Sequence, residues 1–219
     1  MQQNIEDKLL LAKLQDKIKI CKNRNKIVNS EFLNLHQIKL IQSKLNELKI
    51  KNYIFHGGFE EAEDKALIIY PDKLDEDIVL NSINEIINAI KVTIPNELAG
   101  KYEHRDYLSA VMKLGLGRER IGDIIVYESE AYIIVLKENA QYIKNSLQEF
   151  TRFKKSKIEI IDVNEIKSKS PQLMSLEIHV SSNRLDIIVS EIAKTSRSKA
   201  EELIKNEKVS INCVYEYKC

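Results

Sequence analysis

Cysteine is scarce in this sequence, and the three present, Cys21, Cys213 and Cys219, are an odd number with no close pair. That argues against a disulfide scaffold and fits a reducing compartment. Long apolar runs are missing as well: none approaches the roughly 20 residues that span a bilayer. The first twenty residues mix Glu, Asp and Lys with leucines, which predicts no signal peptide. Net charge is nearly absent, at +1 over 219 residues, so the uniformly basic coat of many nucleic-acid binders is not there. What is present, 43% hydrophobic and 31% charged residues, is ordinary for a folded chain and too apolar for wholesale disorder. The sequence reads as cytoplasmic and soluble, with a length that suits one large domain or two to three small ones.

The small net charge is a cancellation between regions. Residues 1–50 carry +5, residues 51–85 carry −6, residues 86–99 are neutral, residues 100–157 carry +3, residues 158–183 carry −2 and residues 184–219 carry +1. Local basic faces therefore remain open to a chain that looks neutral as a whole.

Apolar periodicity divides the chain further. Leu10, Leu14, Ile18 and Cys21 share one helical face, and Ile38, Ile41, Leu45 and Leu48 share another, with Ser30 as a candidate N-cap between them. Either stripe could receive a partner or pack on its own domain. Gly57-Gly58 ends the helical pattern, and Tyr53–His56 and Ala66–Tyr70 read as strands around an acidic turn. Residues 1–78 are thus expected to form a small N-terminal α/β domain. In residues 79–163 the runs Ile86–Ile94, His104–Leu114, Asp123–Tyr127, Ala131–Leu136, Asn139–Phe150 and Lys157–Val163 predict β-α-β-β-α-β. That order is the split βαβ arrangement of ferredoxin-like domains, which RNA-recognition domains share with many unrelated functions. The two aromatic strand motifs of a standard RNA-recognition domain are missing. Residues 164–180 read as a linker leading to a short strand, Leu176–Val180. Residues 181–219 read as helix-helix-strand, with Leu185, Ile188, Val189 and Ile192 as core of the first helix and Ala200, Leu203 and Ile204 as core of the second. The fold class is α+β.

The candidate chemistry lies at two places. Ser196 begins the second C-terminal helix, where free N–H groups and the helix dipole favour a phosphate. Arg197 and Lys199 stand beside it, and Arg184 and Lys194 can converge from the preceding helix, giving phosphate contacts that position RNA without reading its sequence. In the middle domain, His104, Arg105, Arg118 and Arg120 could gather as a cationic cluster, since guanidiniums grip phosphates and stack on unpaired bases. Two readings stand for Arg118 and Arg120: RNA contact, or pairing with Glu119, Asp123 or Asp106 to fix the loop. Asp106 and Asp123 read as structural.

Arg184-Leu185-Asp186, Ser196-Arg197-Ser198-Lys199-Ala200, Leu203-Ile204 and Val209-Ser210-Ile211-Asn212 resemble the RNA-binding domain named after ribosomal protein S-four. Glu207 stands where that module usually has Gly, which leaves Asn206 to supply a left-handed turn. The chain stops at Cys219, where the module continues through a Gly-Asp turn and further strands, so the module is expected to be shortened. His104-Arg105-Asp106-Tyr107-Leu108, the run Leu114–Ile125, Phe32-Leu33 and Gly57-Gly58-Phe59 extend the match to the YlmH-like family. The resemblance implies an N-terminal α/β domain, a middle domain like an RNA-recognition domain (RRM-like), and a C-terminal S-four-type module. It implies a non-catalytic, monomeric RNA-binding protein without cofactor, metal, membrane or small-molecule substrate. Its partners would be ribosomal RNA and tRNA on the large ribosomal subunit, in rescue and quality control of stalled translation. Lys205, Lys208 and Asn212 complete its RNA-binding set.

Enzymatic readings find little support. His104-Arg105-Asp106 lacks the other parts of a kinase site, and Gly115-x-Gly117 lacks a correctly spaced third glycine. Lys167-Ser168-Lys169-Ser170 lacks the partner motif of a synthetase. The four histidines and three cysteines show no metal spacing. An RNA-modifying enzyme or its accessory subunit, and a cell-division adaptor acting through the N-terminal helices, remain as alternatives.

Overall fold

A computed structural model describes residues 2–167, 175–206, 208–211 and 214–215. The chain divides into two compact units, Met1–Lys169 and Ser170–Cys219.

The first unit opens with α1 (Gln2–Arg24), β1 (Val28–Leu33), α2 (Leu35–Glu47), β2 (Tyr53–His56) and β3 (Lys65–Ile69), the strands pairing antiparallel in the order β1-β3-β2. Ser30 does not cap a helix. It lies within β1 at a register break between Asn29 and Phe32, and its hydroxyl accepts the Leu67 N–H at 2.9 Å. The break takes a ladder acceptor away, and the buried hydroxyl replaces it. The cap of α2 is Asn34, which accepts from Gln37 N at 3.0 Å while Gln37 Oε1 accepts the Asn34 N–H at 3.0 Å. This reciprocal box satisfies two otherwise orphaned donors.

Both predicted helical stripes pack on their own sheet. Leu14, Ile18, Cys21, Ile41 and Leu45 form a cluster with Leu33, Leu67 and Ile69. Leu48, expected on the buried stripe, is exposed. It is the C-cap of α2, already turning out of the helix before Lys49 takes a left-handed conformation at φ 53°.

After α3 (Glu76–Asn81) come β4 (Ile87–Thr93), α4 (His104–Met112), β5 (Ile121–Val126), β6 (Glu130–Leu136), α5 (Lys137–Glu149) and β7 (Lys157–Ile161). The sheet order is β5-β6-β4-β7, all antiparallel. This is the split βαβ topology, with its first and third strands at the centre. Period-two alternation decides what each face meets. Ile90, Val92, Ile133 and Val135 join Tyr107, Val111, Ile143 and Leu147 of α4 and α5. Ile87, Ala89, Ile134 and Leu136 face the other way and join Phe32, Ile54, Ala66 and Ile68 of the three-stranded sheet. Residues 1–78 and 79–163 therefore share a core. At Gly122 the two sheets lie close together: a Cβ there would stand 2.9 Å from Phe32 Cε1.

Leu176–Val180, expected as a short strand, pairs with no other strand among the described residues. The second unit holds α6 (Leu185–Ile192), α7 (Arg197–Lys205) and a short antiparallel pair, β8 (Ser210–Ile211) with β9 (Val214–Tyr215). Ala200 and Ile204 are fully buried between the helices. On α6 the buried line is Asp186–Ser190, so Leu185, Ile188 and Val189 are only partly covered and Ile192 is 55% exposed. Periodicity places Ile192 in the core, but six residues at about 3.6 per turn carry it well off the Asp186 line.

Candidate nucleic-acid interface

The centre of the second unit is a carboxylate. Asp186, in the first turn of α6, has no exposed surface, yet it is held ionised by two guanidiniums. Arg184 Nε donates to Oδ1 at 3.0 Å and Nη2 to Oδ2 at 3.4 Å. Arg197 Nε and Nη2 donate to Oδ2 at 3.0 and 2.6 Å. Those hydrogen bonds, Arg184's first and Arg197's second, draw the Asp186 carboxyl down to about 2 against the opposing cost of burial. The arginines come from the residue before α6 and the first residue of α7, so one anchor ties the starts of two helices together. Each arginine side chain keeps more than half of its surface in solvent, 54% for Arg184 and 56% for Arg197. Buried acid and exposed cations together make a pair of oriented guanidiniums, a geometry chemically suited to an anion such as phosphate.

Ser196 is the N-cap of α7, and its hydroxyl accepts from Lys199 N at 3.3 Å. Lys199 Nζ pairs with Glu202 at 2.7 Å. Lys194 is exposed and left-handed at φ 47°. It closes α6 in a Schellman turn, with Thr195 N donating to Ser190 O at 3.0 Å and Lys194 N to Glu191 O at 3.4 Å. Glycine is the usual residue at that position, so a lysine there is held under strain. Lys205 and Lys208 are exposed. Asn206 has φ −88° and does not supply the left-handed turn expected of it; the last turn of α7 closes instead through Lys208 N to Leu203 O at 2.9 Å. Asn212 and Glu207 lie outside the described residues.

The middle-domain residues are not brought into one cluster. Arg118 Nη2 reaches Asp64 in the acidic turn at 2.8 Å, and its Nη1 donates to the Ile121 and Gly122 carbonyls. Asp123 accepts the Glu63 N–H at 2.7 Å from the same turn. Burial pushes the carboxyls of Asp64 and Asp123 upward, and Arg118 opposes the shift at both. Arg120 pairs with Glu138 at 2.8 Å. The partners are thus Asp64 and Glu138 rather than Glu119, Asp123 or Asp106, because residues 118–120 form a 3-10 turn that aims the two arginines at different neighbours. His104 and Arg105 open α4, both exposed, and Arg105 pairs with Glu103 at 3.2 Å. Asp106 is structural: it accepts the Glu103 N–H at 2.8 Å and pairs with Arg152 at 2.7 Å.

For two residues the role they take was not readable in sequence. Asp186 reads as an ordinary polar position on an amphipathic helix, and only its place in the Arg-Leu-Asp run hints at more. Arg152 sits in an aperiodic turn, far in sequence from the Asp106 it binds.

Among the described residues no helix is long and apolar enough to cross a membrane. No group of three or more His, Cys, Asp or Glu among them could hold a metal ion.

Residues 85–166 match the family model described as "Putative RNA-binding domain in YlmH". Over 161 residues the chain is 29% identical to "Ribosome-associated protein quality control protein P2" of Bacillus subtilis (strain 168), a match covering 72% of this chain and 59% of that relative. The chain thus spans about three fifths of the length of that relative. Among solved structures, "Cell division protein ylmH from Streptococcus pneumoniae" is similar with a TM-score of 0.58 at 22% identity, over 74% of this chain and 94% of that one. This last likeness is one of fold. Residues 181–219 lie outside the family match.

Proposed function

We propose that this chain is a YlmH-like, cytoplasmic, non-catalytic RNA-binding protein that docks on ribosomal RNA and tRNA of the large ribosomal subunit when translation stalls. The observation that carries this reading is the Arg184–Asp186–Arg197 arrangement: two half-exposed guanidiniums preset by one buried carboxylate at the start of α7. Ser196 and Lys199 belong to the same start of α7, Lys194 stands in the turn just before it, and Lys205 and Lys208 extend the cationic set to the other end of the helix. The helix pair 181–206 is read as the body of an S-four-type module, and residues 79–163 as an RRM-like domain by their sheet order. The family match over residues 85–166 and the ribosome-associated relative support an RNA partner. His104 and Arg105 belong to the RNA-facing set; Arg118 and Arg120, paired within the fold, position the loop that carries them.

The test is co-sedimentation with large ribosomal subunits across a salt series. The unmodified chain sediments with the particle and is released steeply as salt rises, because neutralised phosphates recover their counterions. Replacing Arg184 and Arg197 by Ala weakens sedimentation at every salt concentration. Unchanged sedimentation of that variant overturns the assignment.

A further inference from the structure

Sheet-borne RNA recognition needs an open face, and this split βαβ unit has none to offer. One face of β4–β7 is covered by α4 and α5. The other packs on the three-stranded sheet, and beyond it Lys91 and Tyr132 are occupied with Glu130, which Lys167 also approaches at 3.8 Å. What remains is the end of the unit where the chain enters α4 and where α5 hands over to β7.

Lys101, Arg105, Arg152, Lys154, Lys155 and Lys157 are all exposed there. The two segments are fastened to each other: besides the Arg152–Asp106 pair, Tyr102 Oη donates to Arg152 O at 3.1 Å, and the Arg152 guanidinium lies 5.7 Å from the Tyr102 ring. The lysine-bearing turn is pinned from beneath. Phe153 is fully buried and stacks on Tyr107 at 5.3 Å, and Gln148 Nε2 donates to Ser156 O at 3.3 Å. Of the nearby acids, Glu103 and Asp106 pair with the arginines and Glu159 pairs with Lys157 at 2.8 Å, while Glu149 at the end of α5 is exposed and makes no ion pair among the described residues. Lys101, Lys154 and Lys155 make no ion pair among the described residues, so three ammonium groups face solvent on a rigid frame.

We propose that this edge is a second RNA-docking surface, one that holds the phosphate backbone of RNA without reading bases. The proposal rests on the RNA-binding reading above and names where the middle domain takes part in it. The chemistry selects a polyanion: no large hydrophobic side chain of segments 101–106 or 150–157 is among the exposed ones, whereas a protein interface centres on apolar or aromatic anchors, and a membrane-surface helix buries an apolar face.

The experiment uses the full chain and a fluorescently labelled RNA hairpin, titrated by anisotropy across a salt series. In the variant Lys101→Gln, Lys154→Gln, Lys155→Gln, the slope of log affinity against log salt falls by about three, one per lost phosphate contact. Affinity at low salt falls by at least about tenfold, and the unfolding midpoint is unchanged because all three side chains are exposed. Affinity and slope equal to those of the unmodified chain overturn this inference alone. Failure of the unmodified chain to bind the hairpin overturns the RNA-binding reading and this inference with it. Loss of binding to phosphatidylserine vesicles with RNA binding intact would reassign the edge to a lipid surface.

Discussion

Arg197 Nη2 stands 2.6 Å from Oδ2 of Asp186, a carboxylate with no solvent exposure. The contact gives an acid a role beside two cations: one buried negative charge fixes the direction of two positive ones. Asp186→Asn makes the chain more positive, so charge alone would strengthen RNA binding. The expected outcome is the opposite, a loss of hairpin affinity of about tenfold as two unanchored guanidiniums lose their shared geometry. Anisotropy at one salt concentration decides between the signs.

The same carboxylate sets a pH dependence. Its folded value of about 2 lies below the ordinary 3.8, so the stability it contributes is fully present above about 4 and is lost as pH falls from there toward 2. Acid titration followed by circular dichroism should show α6 and α7 unfolding in that window, and Asp186→Asn should remove that part of the transition.

Lys194 separates stability from binding. Its left-handed backbone costs about 1 kcal/mol relative to glycine, so Lys194→Gly should stabilise the second unit by about that amount. The substitution also removes a cation beside α7, and the salt slope of RNA binding should fall by about one. Urea unfolding and anisotropy on one variant read the two effects with opposite signs.

Arg118→Ala should leave hairpin affinity unchanged, because the side chain is committed to Asp64 and to the Ile121 and Gly122 carbonyls. The loss of stability is expected at about 1 kcal/mol, since the Arg118 side chain is 44% exposed and solvent screens the pair. Without Arg118, the carboxyls of Asp64 and Asp123 rise further above their unfolded values. Their protonation then favours the folded state, so part of the loss is recovered on mild acidification. A drop in affinity without loss of stability would return Arg118 to the RNA-facing set.

Gly122→Ala should destabilise the first unit by about 1–3 kcal/mol, because its Cβ would collide with the Phe32 ring in a packed core. Urea unfolding measures this directly.

Regular periodicity was readable from sequence and irregular contacts were not. Strand β2 occupies the residues alternation predicts, Tyr53–His56, and the β-α-β-β-α-β order follows from apolar runs long enough to declare their period. β1 escaped because its bulge at Ser30 and Glu31 breaks the alternation, and a serine ahead of a helix resembles a cap. For the site, the helix start at Ser196 was legible because capping is local. The anchoring by Asp186 was not, since its partner Arg197 lies eleven residues away on another helix. The same holds for Arg118, whose acid is 54 positions distant.

Strand β6 touches a different core with each face, and its residues Ala131–Val135 have no exposed surface. A plank shared by two cores couples their melting: neither sheet can loosen without exposing the apolar side of the strand they hold in common. Residues 2–167 are therefore expected to unfold in one cooperative step, with the β6 amides the last to exchange with deuterium.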